Sequence, residues 1–502
     1  MAHLRAELET QKALVSALLT RIYGAKSEKM SHDQLLLAFL EDESKKPEAA
    51  DGNEEPPAAK NTKPKRAKRT NKLLHSLEGL PTIERTITDP EVLANPEDFR
   101  LLSEEVSIRL HASPAIFTRE IIKRQTHVRK NDPDAIPFTP PLEPCLLPGS
   151  VFTPSLGALL LTEKFCYHQP FYRQQWRLFA SHGIEITRNN MCNWHDHLAD
   201  LLLPLYQRIA TSLRQVSYLK VDETPIDCLE PGKGRTATGY FWVYHHPEHG
   251  PLFDWHKSRA NTCLDRILIA PDGEQSFSGY LQSDGLRAYR TFIERFPDLA
   301  IIAVACLAHI RRKFFEAKED HPRIAAWILY QMGKIYAIER KLKAKAFTPL
   351  ERQQVRWEET RRHYEHLQKL FQHLQKSRRI LPKSKLGKAL SYALDQWKHL
   401  EPCFHDGQIE FDNNHTEGAI RPTKLGAKNW TFVGGEETGW RSAVIYTFVE
   451  QIRRHNLDPH AYLEWVFEKL IHHRAEDELE TLLPVNWVAA QRSASNLKSS
   501  VA

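Results

Sequence analysis

The chain has 502 residues, 41% hydrophobic and 26% charged, a balance that excludes disorder throughout and leaves room for about three domains. Its longest apolar run, 301–308, is too short to cross a bilayer, and Arg5, Glu7, Glu9 and Lys12 interrupt what would be the core of a signal peptide; seven scattered cysteines without a C-x-x-C pair argue against a disulfide framework, so a cytoplasmic protein with no membrane contact is expected. The net charge of +6 is modest but uneven, because residues 301–400 hold 22 Lys/Arg against 9 Asp/Glu.

Leu4, Leu8, Gln11, Val15, Leu18 and Ile22 form a short heptad seam, and Ser31 with Gln34 has the spacing of a capping box opening a second helix. Residues 45–72 read as a charged linker in which the basic run Lys60, Lys63, Lys65, Arg66, Lys68, Arg69 and Lys72 follows an acidic stretch. Short β-like runs at 104–110 and 116–121 suggest a small module, and six prolines between 133 and 148 mark an extended connector. From 153 the pattern is helical: Thr153 caps a helix with Pro154 at its first position, and Phe171, Trp176, Leu178 and Phe179 give the next helix an apolar stripe. Gly183 breaks the chain and Thr187 caps a third helix carrying Arg188, Asn189, Asn190 and Asn193. Helix, glycine turn and polar helix suit helix-turn-helix DNA binding, although a plain helical hairpin shares the pattern.

Strand periodicity follows at 217–222, 240–245, 252–255, 279–283 and 301–306, the first three spaced for an antiparallel meander and the last two separated by a helix. A long helical stretch of about 311–400 comes next. It contains the acid-free run Lys376, Arg378, Arg379, Lys383, Lys385 and Lys388, which reads either as a solvated helix face or as a phosphate-binding surface.

Three acids stand at predicted element ends. Asp222 ends the first strand in Val221-Asp222-Glu223-Thr224-Pro225, Asp284 ends the fourth in Leu281-Gln282-Ser283-Asp284-Gly285, and Glu417 lies in one short helical turn closed by Pro422. Carboxylates held above a sheet edge suit hard divalent cations, and a cation pair can activate water or a 3′-hydroxyl for phosphodiester chemistry. Each acid also has a plainer reading: Glu417 as part of a cap begun at Asn414, Asp284 as turn chemistry before Gly285. Glu223 rivals Asp222; alternation sends the two to opposite faces, with Lys220 on the face of Asp222, and does not choose between them.

These segments resemble the transposases of the IS-sixty-six insertion-sequence family. The resemblance begins at Arg21-Ile22-Tyr23-Gly24-Ala25-Lys26-Ser27-Glu28-Lys29, resumes at Leu77-Glu78-Gly79-Leu80-Pro81 and Tyr172-Arg173-Gln174-Gln175, and is strongest in the two Asp blocks. It is equally strong in Cys306-Leu307-Ala308-His309-Ile310-Arg311-Arg312-Lys313-Phe314 and from Asp412 to Trp430. The tail motifs Asn456-Leu457-Asp458-Pro459 and Leu483-Pro484-Val485-Asn486-Trp487 fit as well. The resemblance implies a multidomain α/β protein: N-terminal helices over 1–44, linker 45–75, a small module with connector over 76–150, and a helix-turn-helix-like region over 151–214. An RNase-H-like mixed-sheet catalytic domain over 215–430, with a helical insertion at about 318–400, and a C-terminal helical module over 431–502 complete it.

By the same resemblance Asp222, Asp284 and Glu417 are the catalytic and metal-binding triad, using Mg2+ with Mn2+ as a substitute. The implied activity is binding of element ends, cleavage, and joining of 3′-hydroxyl ends to target DNA; the alternative is a decayed transposase acting as a repressor. Beyond the helix-turn-helix residues, His309, Arg311, Arg312, Lys313, Lys383, Lys385, Lys388, Arg421, Lys424 and Lys428 are expected along DNA; His309, three residues after Cys306, can also be read as half a metal site, against Cys306 as a core residue. DNA, a second copy of the chain and accessory proteins of the same element are the partners implied. Many relatives carry a cysteine zinc module, but 73–144 has no cysteine, so zinc is not expected; Gly418 departs from an Arg common after the family Glu.

Overall fold

The computed structural model describes Phe117 and residues 144–148, 150–230, 235–271, 274–377, 379–472 and 476–487. The heptad seam, the capping-box helix, the linker with its basic run, nearly all of the small module and the tail beyond Trp487 lie outside the described residues. Among the described residues, no helix is long and apolar enough to cross a membrane.

Helix α1 (Pro154–Leu161) starts where Thr153 accepts a hydrogen bond from the Leu156 N–H, with proline at its first position. Helix α2 (Phe171–His182) stops at Gly183, whose φ of +65° suits a residue without Cβ. After an extended stretch, the Thr187 hydroxyl caps α3 (Arg188–Arg214) through the Asn190 N–H. The expected apolar stripe of α2 divides: Phe171 and Leu178 are buried, but Trp176 is 67% and Phe179 55% exposed. Periodicity marks a face as apolar without saying that anything covers it. The start of α3 is polar and exposed at Arg188, Asn189, Asn190 and Asn193; further along, Leu198, Leu202, Leu205 and Leu213 are fully buried.

The sheet runs in the order β3-β2-β1-β4-β5, from β1 (Tyr218–Leu229), β2 (Thr236–His246), β3 (Gly250–His256), β4 (Gly279–Ser283) and β5 (Ile301–Ala305). The first three strands pair antiparallel and the last two join in parallel, with helix α4 (Arg287–Arg295) between β4 and β5. Asp222 does not end its strand, as the sequence led us to expect: β1 continues seven residues further, paired with β2 to Leu229. Its other neighbour, β4, accompanies it only from Tyr218 to Lys220. Pro225, which has no N–H to donate, lies in the stretch flanked by β2 alone, where the strand tolerates it.

From β5 the chain enters α5 (Leu307–Glu316) and then the helical insertion of α6 (Pro322–Ala344), α7 (Pro349–Val355), α8 (Arg361–Gln375) and α9 (Lys385–Trp397). Phe314, Leu329, Phe371 and Trp397 belong to its buried core. Arg356 is fully buried, forks onto Glu339 with two bonds of 2.8 Å, and donates to the Cys403 and Ile409 carbonyls. The chain returns through α10 (Asn414–Trp430). Glu417 is therefore in the first turn of a 17-residue helix rather than in a short turn closed by proline. Pro422 forgoes one helical bond, while Ala419, Ile420, Thr423 and Gly426 bury a continuous face that carries the helix past it. A two-residue strand β6 (Phe432–Val433) pairs with the far end of β1, and α11 (Glu436–Arg454) covers the meander, where Thr447 accepts from the Phe253 N–H. Helix α12 (Pro459–His472) completes the C-terminal region.

Candidate active site

The site forms where β1 and β4 part. Tyr218, Lys220 and Asp222 alternate along one face of β1 and all meet the returning segment 410–417. Lys220, fully buried, donates to the Glu410 carboxylate and to the Asp412 carbonyl at 3.2 Å. Lys343 approaches the other Glu410 oxygen at 2.6 Å. Burial pushes the Glu410 carboxyl up, but Lys220, His415 and Lys343 outweigh it and hold the group well below the ordinary carboxylate range. Gln282, on β4, accepts from the Tyr218 hydroxyl at 2.6 Å and donates to the carbonyls of Ala305 and Glu410. Asn413 donates its amide to the Val221 carbonyl at 3.2 Å, and the Leu307 N–H donates to the Phe411 carbonyl at 2.7 Å. This network fastens the start of α10 to the central strand and to the start of α5.

One ligand atom each of Asp222, His309 and Glu417 lies within 4.8 Å of the others. His309 Nε2 is 3.8 Å from Glu417 Oε1, and Arg312 lies 3.5 Å from Oε2. Glu417 Oε1 is buried and accepts no hydrogen bond among the described residues. Burial, followed by the charges of Glu223, Asp284 and Glu417, drives the Asp222 carboxyl well above its ordinary range. A crowd of carboxylates with an unbonded buried oxygen and an imidazole is a donor set that a divalent cation fits.

Asp284 stands close enough for its charge to act on Asp222, immediately after β4, but its carboxylate lies outside that three-residue group and accepts the Leu286 N–H at 2.8 Å. Gly285 follows with φ of +81°, and a Cβ there would sit 2.4 Å from the buried Gln396 side chain. We expect Gly285→Ala to lower stability by about 1–3 kcal/mol and to shift Asp284 with the turn, checked by denaturant unfolding. Glu223 lies near enough for its charge to act on Asp222, but its own carboxylate is engaged: one of its oxygens accepts from Arg259, the other from the Tyr289 hydroxyl at 2.5 Å. Cys306 is buried, with a thiol pushed up to about 12 by burial, and it accepts the Asn413 N–H instead of joining His309 at a cation.

The remaining expected DNA contacts are spread over the surface. Arg188, Asn189, Asn190 and Asn193 are exposed at the start of α3, and Arg188 and Asn189 share a surface pocket with Tyr172. Arg311 and Arg312 are half-buried and Lys313 exposed on α5; on α10, Arg421 and Lys428 are exposed, whereas Lys424 donates to the Pro225 carbonyl. The 376–388 run follows no single helix face. Its described residues lie between the end of α8 and the first turns of α9, where Ser384 caps the helix and Lys385 pairs with Glu319. Sequence reasoning missed the Lys220–Glu410 latch and the approach of His309; its one signal for the latch was a lysine inside an apolar strand.

Residues 149–441, more than half of the chain, match the family model described as Transposase IS66 family. Residues 11–84 match a second model, Transposase C of IS166 homeodomain, which takes in the heptad seam from Gln11 to Ile22 and the basic linker run. Among similar proteins of Sinorhizobium fredii, the uncharacterized protein y4jD is 31% identical over 68% of this chain and 68% of its own length. The uncharacterized protein y4qI is 28% identical over 93% of this chain and 86% of its own.

Proposed function

Because the chain belongs to the Transposase IS66 family, we propose that it is a metal-dependent transposase that binds insertion-sequence ends, cleaves there, and joins the 3′-hydroxyl ends to target DNA. The observation that carries this reading is the meeting of Asp222 and Glu417, 195 positions apart in sequence, with Asp284 beside them. The strand order, an antiparallel meander whose first strand continues into two parallel partners, supports an RNase-H-like catalytic domain. Mg2+, with Mn2+ as a substitute, would be held by Asp222, Asp284 and Glu417. When bound, a cation pair polarises the attacking water or 3′-hydroxyl and stabilises the leaving oxygen. Lys220 and Asn413 keep the two elements that bear Asp222 and Glu417 in register, and Arg312 balances the charge of Glu417. Glu223, whose carboxylate is engaged by Arg259 and Tyr289, stays outside this ligand set.

The test is incubation of the purified full-length protein with DNA carrying the element ends and Mg2+ or Mn2+. Cleavage leaving a 3′-hydroxyl at the ends is expected; end binding without cleavage under either cation would favour the decayed, repressor reading.

A homeodomain-like region in a transposase family implies DNA binding. We assign base reading to Arg188, Asn189, Asn190 and Asn193, and phosphate contact to the 60–72 and 376–388 runs. Lys383 and Lys388 are exposed, whereas Lys385 is tied to Glu319. Replacing Lys383 and Lys388 by glutamine should weaken binding to all duplexes alike and reduce the salt slope by roughly 0.9 for each phosphate that is no longer neutralised. Titrations at several salt concentrations against end and random DNA check this.

A further inference from the structure

Resting on the reading of a cation site at Asp222 and Glu417, we propose that His309 is itself a ligand of that cation, through its ring nitrogen, and is not a phosphate contact. His309 lies in the first turn of α5, directly after β5, so its backbone is fixed by the sheet edge and by the Leu307 N–H bond to the Phe411 carbonyl. Its Nε2 is the nitrogen that faces Glu417 Oε1 at 3.8 Å, while Arg312 lies against the other oxygen of that carboxylate, leaving Oε1 on the side of His309. Donor atoms about 2.1 Å from a shared cation are at most roughly 4.2 Å apart. A group whose atoms lie within 4.8 Å closes to that spacing with a small turn of the side chains. Asp284, outside the group, is then available to a second cation.

The ligand set has a consequence for the metal. Mg2+ keeps to oxygen and gives up its waters reluctantly, whereas first-row divalent metals accept imidazole, with affinity rising from Mn2+ through Co2+. Two carboxylates with one imidazole therefore hold Mn2+ more tightly than Mg2+, and the preference resides in His309.

The experiment is Mn2+ binding to the full-length protein, read by spin-echo electron paramagnetic resonance for coupling to a directly bound nitrogen, together with Mn2+ and Mg2+ titrations. Wild-type protein should show the nitrogen coupling. His309→Gln should lose it, with Mn2+ binding weakened about tenfold or more and Mg2+ binding changed far less. Asp284→Asn should retain the coupling. Bound Mn2+ without nitrogen coupling in the wild type, a measurement that needs no variant, would overturn the role of His309 while leaving a carboxylate site intact. Absence of Mn2+ binding, or binding indifferent to Asp222→Asn, would overturn the cation site and this inference together.

Discussion

Asp222→Asn and Glu417→Gln are each expected to reduce DNA cleavage and strand transfer by more than about a hundredfold while leaving binding to element ends nearly unchanged. Loss of a residue that merely orients a metal ligand typically costs about 10–100-fold, and these two residues would be ligands. Asp284→Asn should be similarly damaging, whereas Glu223→Gln, altered on the opposite face of β1, should keep substantial cleavage. Stability should move the other way. In the cation-free protein Asp222 is crowded by burial and by Glu223, Asp284 and Glu417, so its folded-state pKa is raised and its ionised form is disfavoured. The penalty is absent below the ordinary value of 3.8 and grows as pH rises above it. At neutral pH Asp222→Asn should therefore raise the melting temperature of the cation-free protein, and added Mn2+ should raise that of the wild type but not that of the variant. A melting series with and without Mn2+, run beside a cleavage assay, measures both effects; a variant that cleaves like the wild type would remove its residue from the site.

The second large effect belongs to Lys220 and Glu410. Removing one partner of a buried ion pair leaves the other uncompensated, at a cost of about 3–5 kcal/mol. Glu410→Gln should lower stability by that order, Lys220→Met by a similar amount, and the double change Lys220→Met with Glu410→Leu should recover much of the loss. Because the folded Glu410 carboxyl is held below its ordinary pKa, the pair stabilises fully above the unfolded value of 4.5, and this contribution fades as pH falls below it. Denaturant unfolding of the four proteins at neutral and acid pH checks the coupling and its sign. Single variants as stable as the wild type would mean that the latch does not hold the fold.

Alternation and spacing were enough to find β1 to β5 (though not the two-residue β6), the meander, the helix after β4, and the caps at Thr153 and Thr187. They placed Asp284 correctly, just past its strand. They failed at Asp222 because an acid pair followed by proline reads locally as a strand end, and only the absence of a second neighbour along that stretch lets β1 continue. They failed at α10 because Pro422 is a helix breaker locally, overridden by a face buried against the sheet. The exposed Trp176 and Phe179 show the limit of periodicity in the other direction. The approach of His309 to Glu417 joins residues 108 positions apart and leaves no local mark in either segment.

Lys220 and Glu410 are separated by 190 positions, and Asn413 and Val221 by 192. Contacts so distant in sequence form only after the intervening chain exists and its insertion has folded, which makes them late steps. A polypeptide still emerging from the ribosome thus possesses its α1–α3 helices and Asp222 long before Glu417 is synthesised. Any product truncated ahead of the returning segment keeps Asp222 and Asp284 without Glu417, and on the proposed reading a nascent chain still attached to its own message would lack a complete site for cutting the DNA from which that message was copied.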